Sequence, residues 1–138
     1  MTVAPAVRLL VVTDDCLFEE YTAAAVRRSP AMGVRSVSRL SAARETVADG
    51  GVGCVVLDWE FSPARIGIFH RSLRRERPRL PVILAAGRPP TELSAVGSYH
   101  AFVRKTGPEM GTSVTDAARV LTTADVADDH DTTPATVE

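Results

Sequence analysis

Lysine is almost missing from this sequence: 15 of its 16 basic residues are arginine, and Lys105 stands alone. Cysteine is scarce too. Cys16 and Cys54 lie far apart and form no C-x-x-C pair, which argues against a structural zinc site or a disulfide scaffold and suits a reducing compartment. No apolar run approaches the roughly 18 residues that a membrane span needs. Met1–Ala6 lacks the charged and apolar regions of a signal peptide, so a cytoplasmic setting with no membrane contact is expected. His70, His100 and His130 have no metal-ligand spacing, and surface positions are expected for them. Gly51-Val52-Gly53 precedes an apolar run instead of following one, so it fails the dinucleotide-binding fingerprint.

What is present is enough for one core. The chain has 138 residues, 45% of them hydrophobic and 24% charged, the size and balance of a single soluble domain. Five of the 17 acidic residues fall after Leu121 and no basic residue does, so the body carries 16 basic and 12 acidic residues, a net of +4. That modest excess does not make a nucleic-acid binder, where a clustered and much stronger basic face is expected. The expected division is a folded domain over 1–121 and a disordered acidic tail over 122–138, whose apolar content is too low to fold.

Short apolar runs alternate with amphipathic stretches. Val7–Val12 reads as a strand buried on both faces. Thr13-Asp14-Asp15 can cap a helix beginning near Leu17, with Leu17, Tyr21, Ala24, Ala25 and Arg28 at helical spacing, and Ser29-Pro30 stops it. Gly33–Ser38 is a more exposed strand, and Ser41 is the expected cap of a short helix through Ala48. Cys54–Leu57 is a buried strand ending at Asp58. A helix follows from about Ile66 to Arg77, with Ile66, Phe69 and Leu73 on one face. Pro81–Ala85 and Ala101–Arg104 are the last strands, a short helix fits Thr91–Val96, and Thr112–Leu121 is the final helix. Alternation with buried strands predicts an α/β fold with helices on both faces of a parallel sheet. Right-handed crossovers then favour the five-stranded flavodoxin-like order 2-1-3-4-5.

Ligands of such a sheet bind at the carboxyl ends of the strands, beside the point where strand order reverses. Asp14 and Asp58 follow the two strands that flank this point, and Lys105 follows the fifth. Two carboxylates there repel each other until a cation or proton relieves them. Oxygen donors of this kind suit Mg²⁺ beside a phosphoryl group, with the ammonium neutralising the transferred charge.

The stretches Leu10–Glu20 (LVVTDDCLFEE), Val55–Glu60 (VVLDWE), Leu80–Ala86 (LPVILAA) and Ala101–Lys105 (AFVRK) resemble the response-regulator receiver (CheY-like) family. The 22 residues between Asp58 and Pro81 fit its spacing, and the likeness covers about residues 7–121. It implies a signal-transduction module of a two-component phosphorelay. Asp58 would be the phosphoacceptor, Lys105 the ion pair of the phosphoryl group, and Asp14, Asp58 and the Glu60 backbone carbonyl the ligands of Mg²⁺. The phosphoryl group would come from a histidine kinase or a small phosphodonor. Catalysis would go no further than self-catalysed transfer to and from Asp58; a homodimer or an effector partner stays open.

Several positions depart from the family. Thr13 replaces the first acid of its pair, which implies weakly held Mg²⁺; Asp15 is the other acid within reach of that place, but the Cys16-Leu17-Phe18 stretch favours the Thr13-Asp14 register. Ala86 replaces the switch hydroxyl, and Thr106 the proline after the lysine. Val82–Arg88 (VILAAGR) and the strand end at Asp58-Trp59 are also similar to the receiver-like N-terminal wing of ornithine/lysine/arginine decarboxylases. That second likeness implies an alternative: a docking or oligomerisation domain that works without phosphorylation.

Overall fold

The computed structural model describes residues 7–58, 63–87 and 99–127. Strands β1 (Val7–Val12), β2 (Met32–Val37), β3 (Cys54–Asp58), β4 (Val82–Ala86) and β5 (Ala101–Arg104) form one sheet. Every pairing is parallel and the order is β2-β1-β3-β4-β5, the expected flavodoxin-like arrangement. Four helices are seen among the described residues: α1 (Cys16–Arg27), α2 (Leu40–Asp49), α3 (Pro63–Glu76) and α4 (Glu109–Ala127). None of the described helices is long and apolar enough to cross a membrane.

Strand side chains alternate between two cores. Leu9, Val11, Val56, Ile83 and Val103 pack against α1 and α4 through Phe18, Val26, Val114 and Leu121. Leu10, Val12, Val55, Leu57 and Leu84 pack on the other face against α2 and α3, through Val47, Phe69 and Leu73. β3 and β4 are buried throughout, which is why they read as continuous apolar runs. β2 lies at the edge and has no fully buried position.

Local chemistry moves several boundaries from their expected places. Asp15 caps α1, so the helix starts at Cys16, whose side chain is exposed. α1 buries Phe18, Thr22, Ala25 and Val26, while Leu17 is 56% exposed; the predicted face is rotated by about one residue. α2 begins at Leu40 after Arg39, with no side-chain cap, so Ser41 lies inside the helix. α3 starts three residues before Ile66. α4 begins before Thr112 and continues past Leu121 to Ala127, so part of the expected tail is helical. The predicted helix over 91–96 and residues 128–138 lie outside the described residues. His70 is buried at 3% exposure in α3, contrary to its expected surface position. His100 is half-buried, and its Nδ1 accepts the Val82 N–H at 3.0 Å, joining the approach to β5 to the start of β4.

Candidate functional site

Strand parity builds the site. Leu9 and Val11 of β1, Cys54 and Val56 of β3, and Ala101 and Val103 of β5 all face α1 and α4. Two residues further on, the same parity reaches Thr13, Asp58 and Lys105. All three sit at the carboxyl rim, where β1 and β3 flank the reversal of strand order.

Asp58 has no exposed surface, so its charge must be met inside the protein. The Thr13 hydroxyl donates to Asp58 Oδ2 at 2.5 Å, and Lys105 Nζ donates to the same oxygen at 2.9 Å. Thr13 is itself oriented, because its Oγ1 accepts the Asp15 N–H at 2.9 Å. The Lys105 side chain is 7% exposed and also pairs with Asp15 Oδ2 at 2.9 Å. Its ammonium lies 5.4 Å from the centre of the Phe18 ring, a cation–π contact. The other oxygen of Asp15 accepts the N–H groups of Leu17 and Phe18 at 3.1 and 3.2 Å, the usual service of an N-cap aspartate.

These contacts set the protonation states. The hydrogen bond from Lys105, helped by the Phe18 amide, holds the Asp15 carboxyl below its ordinary range. Burial pulls the Lys105 ammonium down, but the hydrogen bonds and charges of Asp15 and Asp58 outweigh it, and the net shift is upward. The lysine therefore stays charged within a largely enclosed rim.

The structure brings together Asp58 and Lys105, as expected, and adds Thr13 and Asp15. Asp14 is also on the rim, but it is exposed and its side chain forms no hydrogen bond or ion pair among the described residues. Asp15 is the acid that sequence reasoning set aside. Its N-cap position was the available signal, since a cap side chain sits where the strand rim meets the helix. Glu60 lies outside the described residues. Ala86 closes β4 at 2% exposure, and its carbonyl accepts the Lys105 N–H at 2.7 Å.

The donor chemistry fits Mg²⁺ in kind, because Asp14 and Asp58 offer hard carboxylate oxygens and Asp14 is not taken up by another side chain. It is thin in number: no cluster of three or more His, Cys, Asp or Glu side chains is found among the described residues.

Solved structures with the same layout are numerous. A response regulator receiver protein from Sinorhizobium medicae is 21% identical with a TM-score of 0.69, over 89% of this chain and 98% of that one. The chemotaxis response regulator CheY4 of Vibrio cholerae is 13% identical with a TM-score of 0.67, over 81% and 98%. The chain has the CheY-like receiver fold. HP1043, an orphan response regulator of H. pylori, superposes on this receiver fold with a TM-score of 0.68 at 8% identity, over 86% and 99%. No family model and no curated protein matches the sequence.

Proposed function

We propose that this chain is a signal-transduction receiver module that accepts a phosphoryl group on Asp58 and acts through protein–protein contacts. The supporting observation is the pairing of Asp58 with the chain's one lysine across the carboxyl rim. In the reaction, a carboxylate oxygen of Asp58 attacks the phosphorus of a kinase phosphohistidine or of a small acyl phosphate. The bond from phosphorus to the leaving nitrogen or oxygen breaks, and an aspartyl phosphate forms. Lys105 offsets the charge of the transferred group. Asp14, Asp58 and the Glu60 carbonyl would hold Mg²⁺, which supplies further positive charge to the incoming phosphoryl group. Thr13, in place of an acid, makes that hold weak.

Acetyl phosphate with Mg²⁺ tests the proposal by intact mass. One added phosphoryl group, lost in Asp58→Asn, is the expected result; no adduct, or an adduct that persists in Asp58→Asn, overturns it. A second reading draws on the burial of Asp58. Its Oδ2 already has two donors and the residue has no exposed surface, an arrangement complete without a phosphoryl group. That favours a docking or oligomerisation module independent of phosphorylation, and absence of an adduct together with retained self-association or partner binding selects it.

A further inference from the structure

Lys105 serves two carboxylates that belong to different parts of the fold. Asp58 ends β3, and Asp15 caps α1. Asp15 divides its oxygens: Oδ2 pairs with Lys105, while Oδ1 accepts the Leu17 and Phe18 amides. One side chain thus ties the buried ammonium to the first turn of a helix. Phe18 closes the loop, since its N–H is held by Asp15 while its ring lies under the ammonium.

We propose that Asp15 is a positioning residue that transmits the charge state of Asp58 to the N-terminus of α1 through Lys105. The trigger rests on the reading of Asp58 as a phosphoacceptor; the linkage itself rests only on the contacts above. A phosphoryl group brings about −1.5 to −2 of charge and draws the ammonium toward β3. Asp15 yields, because its side chain is 37% exposed and can exchange Lys105 for water, whereas the Asp58 side chain is 0% exposed and cannot. The cap then loses its counter-ion, and the first turn of α1 loosens. The route bypasses the end of β4, where Ala86 has no hydroxyl to follow the phosphoryl group. Neutralising Asp58 works in reverse and leaves Lys105 wholly to Asp15.

Hydrogen exchange at the Leu17 and Phe18 amides tests this in the full chain, with a β3 amide as the control for global stability. Beryllofluoride with Mg²⁺, a phosphoryl mimic whose binding fluorine NMR reports separately, is expected to speed exchange at both amides several-fold. Asp58→Asn is expected to slow it. Asp15→Asn keeps a good cap but removes the charge, and both responses should vanish there. The proposal is overturned if neither loading nor Asp58→Asn moves the two amides, or if Asp15→Asn responds as the wild type does. If fluorine NMR detects no binding, the phosphoacceptor reading fails, and the Asp58→Asn comparison alone decides the linkage.

Discussion

Asp58 and Asp15 share a cation, yet removing that cation should hurt them unequally. Lys105→Ala takes the charged donor away from a fully buried carboxylate, and loss of a buried partner typically costs about 3–5 kcal/mol. Asp15→Ala removes a half-exposed pair and a helix cap, about 1 kcal/mol. Urea unfolding of the two variants should give that ranking, and equal losses would contradict the burial argument. A second expectation concerns alkali. Burial pushes the Cys54 thiol from its ordinary 9.0 up to about 12. The folded state therefore holds this proton more tightly, and its stabilising effect is complete below pH 9.0 and lost as pH rises toward about 12. Lys105 is also shifted upward, so its contribution is complete below its ordinary 10.5 and lost above it. Cys54→Ala should delay the onset of alkaline destabilisation from about pH 9 to above 10.5, measured by thermal melts across pH. Asp15 has the opposite sign: its contribution is complete above its ordinary 3.8 and lost as pH falls below it. At this scale Asp58 and Lys105 were legible because each ends an apolar run. The Asp15 contact was not, since it depends on where α1 starts.

Helix α1 poses the same problem one level up. Leu17, Tyr21, Ala24, Ala25 and Arg28 satisfy helical periodicity as well as Phe18, Thr22, Ala25 and Val26 do. Both begin on a large apolar side chain, Leu17 or Phe18, and each includes a polar residue, Arg28 or Thr22. Packing against α4 decides between them. At the crossing, a side chain on Gly111 would run into the Tyr21 carbonyl, so the two helices touch backbone to backbone there. Gly111→Ala should force them apart and cost about 1–3 kcal/mol, visible as a lower melting temperature. Thr22 is fully buried in this contact region, and its hydroxyl has no hydrogen-bond partner among the described residues. Thr22→Val keeps the shape and removes the unmet donor, so it should be neutral or stabilising by up to about 1–2 kcal/mol. A clear loss of stability in Thr22→Val would mean that the hydroxyl is satisfied in solution. The ends of α2 and α4 were less legible for a related reason: Arg39 offers no side-chain cap, and the polar turn after Leu121 continues a helix already nucleated by packing.

The sheet order was legible because β3 and β4 have no polar position before their ends and because crossovers have a fixed hand. What periodicity could not reveal was which helix covers which core. Both cores share one sheet, so each strand carries side chains into both. Neither core can melt and leave the other intact. Unfolding should therefore be a single cooperative event, with coincident transitions by far-ultraviolet circular dichroism and tryptophan fluorescence. Separate midpoints would show that the α1–α4 side and the α2–α3 side come apart independently.

A parallel sheet also imposes a timetable during synthesis. Thr13 and Asp58 meet across 45 positions of chain, and Asp58 and Lys105 across 47. No local segment can assemble the rim in advance. Until β5 leaves the ribosome, β4, buried along its whole length in the finished fold, has an unpaired edge. At about 5–20 residues per second, the stretch from the end of β4 to Lys105 takes about one to four seconds to appear. Through that interval the nascent chain presents its most apolar edge and has no rim lysine, so it is open to misassembly before any partner could recognise it.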